Sequence, residues 1–139
     1  MKRVGRERLE PYFRLNRDAH MNLLRNWVGQ DTEETLYDLA DEYGLLVWND
    51  FWESTQDYNI ETPNPELFLA NAADVITRFR NHPSILMWVG RNEGVPQTYL
   101  NEHLADLART LDGKRYYTGS SNQVNLQISG PYNYRDPAR

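Results

Sequence analysis

The feature that most constrains this chain is a short apolar run that begins two residues after a proline. Residues 85–89 read Ile-Leu-Met-Trp-Val, and Pro83 precedes them. Proline lacks an amide donor and pushes the residue before it out of the helical region, so an earlier helix must end by His82. Five uncharged residues of this kind are typical of a strand buried on both faces, as in parallel sheets. We therefore predict a central parallel strand over residues 85–89.

A polar triplet follows this strand. Arg91, Asn92 and Glu93 stand between Gly90 and Gly94, which predicts a turn at the carboxyl end of the strand. Ligands bind at that edge of a parallel sheet in α/β folds. From the residues alone, the carboxylate of Glu93 is either a functional group or a solvated loop residue.

The remaining sequence alternates apolar strands with amphipathic helices. Such βα units require a parallel sheet with right-handed crossovers, so we expect an α/β fold whose strands lie in chain order. The connection over residues 54–65 is too long to be minimal and is expected at the rim of a site. The predicted strands cover about residues 23–27, 45–49, 85–89 and 115–119, and the helices cover about residues 6–20, 31–43, 67–81 and 96–111.

Composition limits the function classes. The chain has 139 residues, enough for one domain but fewer than the roughly 250 of a complete (β/α)8 barrel. A 40% hydrophobic fraction excludes disorder, and a net charge of −5 argues against a nucleic-acid partner. No cysteine is present, so disulfides and thiolate sites are excluded. We expect no signal peptide and no membrane segment in this stretch.

Nucleotide and metal sites are not expected. No Gly-x-Gly-x-x-Gly or Gly-Lys-Ser/Thr loop follows any predicted strand, which excludes a Rossmann-type or phosphate-binding site. His20, His82 and His103 fall at a helix end, in a helix-strand turn and on a helix. They share no strand exit, so we predict no metal site and no cofactor.

The string His-Pro-Ser-Ile-x-x-Trp-x-Gly-x-Asn-Glu over residues 82–93 closely resembles the fourth-strand signature of family 2 glycoside hydrolases. Residues 24–27 resemble the second barrel strand of that family, and residues 37–50 resemble its third helix-strand stretch, in the same order. The resemblance implies a partial (β/α)8 TIM barrel. It assigns residues 1–139 to one fragment of the catalytic domain, from about the second to the fifth strand.

The resemblance also implies roles for individual residues. Glu93 corresponds to the general acid/base, and Asn92 to the residue that hydrogen-bonds the sugar 2-hydroxyl. Arg25 resembles the arginine at the base of the family's active site, and Asp50 resembles the acidic residue at the exit of its third strand, although each can equally belong to a buried pair that holds the barrel together. Since an acid/base needs a raised pKa, we expect the Arg91 guanidinium to point away from Glu93.

The aromatic residues leave two interpretations open. Trp27 and Trp52 stack on sugar faces or pack at the rim. Trp48 and Trp88 are predicted to lie in the core. Tyr132, Asn133 and Tyr134 contribute to an aglycone subsite or belong to a fraying end.

Retaining glycosidases use two carboxyl groups about 5–5.5 Å apart. In the family the nucleophile follows a later strand than this chain contains, so we predict a part of a retaining β-glycosidase that carries the acid/base and lacks the nucleophile. The residues around Glu93 resemble the β-mannosidase and exo-β-glucosaminidase branch. The expected partners are a carbohydrate and the remainder of the parent enzyme. The alternatives are a half-barrel that binds sugar or protein without catalysis and an unrelated open-sheet binding domain.

Overall fold

A computed structural model of the chain describes residues 5–54, 61–94 and 96–121. Within these ranges helices and strands alternate, with a 3-10 turn at Trp27–Gly29 after the first strand and a π-helical turn at Ala108–Asp112 after the last helix. The elements are α1 (Arg6–Asp18), β1 (Leu23–Asn26), α2 (Glu34–Tyr43), β2 (Leu46–Glu53), α3 (Pro65–Phe79), β3 (Ile85–Arg91), α4 (Thr98–Leu107) and β4 (Tyr116–Thr118).

The four strands form one parallel sheet in the order β1-β2-β3-β4. Leu23 pairs with Leu46, Trp48 pairs with Met87, and Met87 pairs with Tyr116. Each strand thus lies beside the next strand of the chain, and a helix connects each pair. The predicted α/β alternation and the predicted spatial order are confirmed.

One face of the sheet is covered by the helices. A single buried cluster joins residues from all four helices to strand residues such as Val47, Phe51 and Trp88. The opposite face, which we call the inner face, carries a separate cluster of Trp48, Met87 and Val89. The exposed fractions of Trp48 and Trp88 are 6% and 0%, which confirms that both lie in the interior. Helices on one face and a second apolar layer on the other are what a barrel wall requires.

The ends of the helices follow local chemistry. Gly44 ends α2 with φ at 68°, and Leu45 N donates to Ala40 O at 2.9 Å, the pattern of a Schellman cap. Asn64 caps α3 by accepting from Leu67 N at 3.0 Å. The helix predicted over about residues 31–43, with Asp31 or Thr32 as its cap, begins later: α2 starts at Glu34, its N-cap is Glu33, and the Asp31 side chain accepts from Glu33 N at 2.9 Å.

Two strands extend further than the sequence predicts. β2 continues through Asp50 to Glu53, and β3 continues through Arg91, so these residues lie in strands and not in the turns that follow. Parallel pairing of the two strands continues to Glu53 and Arg91, and opposite charges there compensate burial. β1 is shorter than predicted because Trp27 already belongs to the 3-10 turn, where Val28 has φ at 46°.

Part of the inner face is open and apolar. The exposed fractions of Leu23, Leu46, Leu86 and Tyr116 are 39%, 39%, 43% and 59%. Leu24 packs against the helix-side core, whereas its neighbour Leu23 is exposed on the opposite face. The alternation of side chains along β1 accounts for the difference. None of the described helices is long and apolar enough to cross a membrane.

Asp112, the last residue of the π-helical turn, connects β3 to the residues just before β4. It accepts from Trp88 Nε1 and from Arg115 Nη1, each at 2.8 Å. Burial alone acts to raise the pKa of this carboxyl, but the two hydrogen bonds outweigh it and the pKa is lowered. The ionised side chain therefore holds the core tryptophan in place.

Candidate active site

Three polar side chains from successive strands meet at the carboxyl edge of the sheet. Arg25 Nη2 donates to Asp50 Oδ2 and to Asn92 Oδ1, both at 2.7 Å. Arg25 Nε lies 3.1 Å from the same Asp50 oxygen. One guanidinium on β1 therefore bridges a carboxylate on β2 and an amide just after β3. Sequence analysis singled out all three residues, and the structure brings them into contact.

The carboxylate of Asp50 is buried and fully engaged. Its exposed fraction is 0%, and it also accepts from Trp48 Nε1 at 2.7 Å and from Val28 N at 3.0 Å. The Arg25 guanidinium lies 5.1 Å from the centre of the Trp48 ring, within the range of a cation-π contact. With every acceptor direction occupied, Asp50 is suited to anchoring Arg25 and not to attacking a substrate.

Glu93 lies in a tight turn directly after this network. Its backbone has φ at 56°, and Gly94 N donates to Asn92 O at 2.8 Å across it. Glu93 N donates to Ser121 Oγ at 2.8 Å. The side chain is partly buried. On the other side of the turn, Asn92 N donates to Glu53 O at 3.0 Å, so the neighbouring strand β2 fixes where the turn begins.

Arg91 belongs to a second charged cluster. Its side chain is fully buried, and Nη1 lies 3.0 Å from Glu61 Oε1 and 3.3 Å from Glu53 Oε2. That the guanidinium points away from Glu93 stays a prediction. Burial, and after it the Glu61 carboxylate, raises the pKa of Glu53. Sequence analysis did not identify Glu53 or its pairing with Arg91.

The two rim tryptophans differ in what they contact. The Trp52 ring packs against Phe51 at 5.7 Å and Phe68 at 5.2 Å between ring centres, both edge-on, which favours rim packing. Trp27 is half-buried in the turn after β1. Sugar stacking by Trp27 stays a prediction. Tyr132, Asn133 and Tyr134, and residues 55–60 of the long connection, lie outside the described residues.

In the described ranges, no group of three or more His, Cys, Asp or Glu side chains is placed to hold a metal ion. His82 Nδ1 lies 2.7 Å from Asp41 Oδ2, and His103 Nδ1 lies 2.8 Å from Tyr99 O. His20 is exposed at the end of α1. The described contacts of His82 and His103 are therefore structural.

Sequence analysis also missed the contributions of Val28, Trp48 and Ser121 to the site. A backbone amide such as that of Val28 carries no sequence signal. The position of Trp48, two residues before Asp50 on the same face of a strand, is a signal that could have placed its indole beside the carboxylate. Ser121 follows β4 at the same edge as Glu93, which is the only sequence signal of its role.

The chain is similar to known proteins both in sequence and in fold. The β-D-mannosidase from Dictyoglomus thermophilum superposes with a TM-score of 0.69 and 28% identity, covering 91% of this chain and 18% of that one. The mannosylglycoprotein endo-β-mannosidase of Lilium longiflorum is 35% identical over 111 residues, 73% of this chain and 12% of the relative. Beta-mannosidase A of Aspergillus clavatus is 29% identical over 137 residues, 96% of this chain and 14% of the relative.

These relatives are much longer than the chain, which spans about an eighth of the curated relatives cited. The family model "Glycosyl hydrolases family 2, TIM barrel domain" matches residues 4–133, nearly the whole sequence. The match includes the apolar strand after Pro83, the Asn92-Glu93 pair and the residues that hold that pair. The chain belongs to the TIM-barrel domain family of family 2 glycosyl hydrolases.

Proposed function

We propose that this chain is the part of a retaining β-glycosidase barrel that runs from about the second to the fifth strand, with Glu93 as the general acid/base. The single observation that carries the proposal is the Arg25-Asp50-Asn92 network beside Glu93, in a chain of this family. The site lies at the carboxyl edge of a parallel sheet, where barrel enzymes place their chemistry.

Glu93 takes the acid/base role because it forms, with Asn92, the pair that resembles the family signature, and two other acids at this edge are each held by an arginine. Asp50 is engaged by Arg25, Trp48 and a backbone amide, and Glu53 is paired with Arg91. In a retaining mechanism the acid first protonates the leaving oxygen and then activates water, while a second carboxylate attacks the anomeric carbon. That nucleophile comes from the remainder of the enzyme.

Asn92 is oriented for sugar recognition by its contact with Arg25. The amide oxygen accepts from Arg25 Nη2, so the amide nitrogen is the end turned away from the guanidinium. An Asn nitrogen is a donor. It is therefore suited to donating a hydrogen bond to a sugar hydroxyl, and we assign it the 2-hydroxyl.

The substrate class follows from the relatives. Two curated relatives and a solved structure are a mannosylglycoprotein endo-β-mannosidase, a β-mannosidase A and a β-D-mannosidase. We propose a terminal β-linked sugar as substrate, a β-mannoside or a β-glucosaminide. Arg25, Asp50 and Trp27 form or support the sugar pocket, with Asp50 acting through Arg25, and Trp52 packs at its rim.

The test uses the complete enzyme, meaning the polypeptide that contains this segment and the rest of the barrel. In E93A, kcat/KM for substrates with poor leaving groups should fall on the order of 10²–10⁴-fold, because the departing oxygen needs a proton. Aryl glycosides with good leaving groups should keep their kcat/KM but lose kcat, since the second step lacks its base. Azide should restore that kcat and give a β-glycosyl azide.

The matched control is Glu102→Ala, which removes an exposed carboxylate on α4 and should leave both parameters unchanged. Equal losses of kcat/KM for good and poor leaving groups in E93A would remove Glu93 from the acid role. Retained binding of β-mannosides by a complete protein with no turnover would instead support the half-barrel that binds without catalysis.

A further inference from the structure

The backbone at Glu93 is held in an unusual conformation. Glu93 is the central residue of a three-residue turn closed by Gly94 N and Asn92 O, and its φ is 56°. Turns of this kind with a positive φ at the centre are rare and strained. Residues other than Gly seldom adopt a positive φ, and such outliers cluster at sites where geometry matters for function.

The neighbouring strands hold the turn from both sides. On the β2 side, Asn92 N donates to Glu53 O at 3.0 Å. On the β4 side, Glu93 N donates to Ser121 Oγ at 2.8 Å. Ser121 lies three residues after the end of β4, and its exposed fraction is 5%. The hydroxyl therefore meets the amide where water has little access and binds the residue that carries the carboxylate.

We propose that Ser121 is a positioning residue for Glu93. This inference rests on the proposed acid/base role of Glu93 and adds a residue that touches neither the sugar nor the reacting atoms. By fixing the Glu93 amide, the hydroxyl fixes the direction in which the side chain leaves the backbone. The acid must lie within hydrogen-bond reach of the leaving oxygen, about 2.6–3.2 Å, so a small rotation of the turn removes that contact.

The experiment compares S121A and S121T in the complete enzyme. S121A removes the acceptor of the Glu93 amide, whereas S121T keeps a hydroxyl at the same position. The matched control is S84A, which removes a hydroxyl from a serine that is also buried, at 6% exposure, before the amino end of β3. In the described ranges Ser84 Oγ has no hydrogen-bond partner, and it lies at the edge of the sheet opposite the site.

In S121A, kcat/KM for poor leaving groups should fall roughly 10- to 100-fold, since a misplacement of about 1 Å can cost 10²-fold. For good leaving groups kcat/KM should change little, as expected of a displaced acid. S121T should recover most of the loss, and S84A should behave as the wild type. The ratio of kcat/KM for good leaving groups to kcat/KM for poor ones does not depend on the fraction of enzyme that is folded, so it remains informative if S121A yields little folded enzyme.

An equal loss for both substrate types, or no loss in S121A, would overturn the positioning role. So would a similar change in S84A. The result for E93A keeps the two proposals apart. If E93A shows the leaving-group dependence and S121A does not, Glu93 is the acid and Ser121 does not position it. If E93A itself lacks the dependence, the proposed function fails first.

Discussion

Removing the Asp50 carboxylate tests whether the site rests on one buried anchor. In D50A three donors lose their acceptor at once: the Arg25 guanidinium, Trp48 Nε1 and the Val28 amide. D50N keeps the size of the side chain and one amide oxygen, so it can serve only part of this set. We expect the turn after β1 to open far more easily in D50A and to an intermediate degree in D50N.

The size of the effect follows from the burial of each donor. An unpaired buried donor costs about 1–3 kcal/mol. Trp48 is 6% exposed and takes the full penalty, whereas the Arg25 side chain is 33% exposed and still contacts Asn92, so water offsets part of its loss. The total is about 3–5 kcal/mol for D50A, the range seen when one partner of a buried ion pair is removed. For D50N we expect about 1–3 kcal/mol.

Hydrogen exchange of the complete enzyme, read by mass spectrometry on a peptide covering residues 23–30, measures this opening. A change of about 3 kcal/mol corresponds to roughly a hundredfold faster exchange. The control is D18A, which breaks an exposed pair with Arg17 and should change exchange by no more than about 1 kcal/mol. Equal protection in D50A and D18A, or a larger effect in D50N than in D50A, would refute the reasoning.

Three further predictions concern stability and assembly. Because the pKa of the Glu53 carboxyl is raised in the folded state, the wild type loses stability as the pH rises above 4.5, and the Tm of E53Q should increase relative to that of the wild type. Because the pKa of the Asp112 carboxyl is lowered, D112N should have the lower Tm at neutral pH, and this difference should shrink as the pH falls below 3.8. Gly29→Ala places a Cβ 2.7 Å from Asp50 O, while Gly44→Ala meets nothing within 4 Å; G29A should lower the Tm more than G44A, which suffers backbone strain alone. In the part of the chain that the structure describes, β1 and β4 each pair with one strand only and leave an open edge, so the isolated 139-residue chain should self-associate in ultracentrifugation; a cooperatively unfolding monomer would contradict this.

The fold could be predicted from sequence because its signals are local. Pro83 and the apolar run after it fix β3, and the glycine at position 44 fixes the end of α2. The extension of β2 through Asp50 to Glu53 could not be predicted, since polar residues in a strand are stable only when partners distant in sequence compensate their charge. Those partners, Arg25 and Arg91, become visible only in the folded chain.

The site shows the same division between local and distant information. The Asn92-Glu93 pair is recognisable as a motif, and its contact with Arg25 follows from strand exits that meet at one edge. The strained turn at Glu93 is held by a hydrogen bond to Ser121, which lies 28 residues further along the chain. No spacing rule links a serine after one strand to an amide after another, so that contact required the structure.

The contacts of two buried acids bear on where the second carboxylate of the proposed mechanism comes from. The retaining mechanism proposed above needs a nucleophile about 5–5.5 Å from Glu93. The acids that β2 brings to this edge, Asp50 and Glu53, each form an ion pair with an arginine and are both at most 5% exposed. A paired and buried carboxylate is a poor nucleophile because attack would leave its arginine without a counter-charge. In the proposed enzyme we therefore expect the nucleophile on strands that close the barrel over the inner face, where leucines and Tyr116 are exposed.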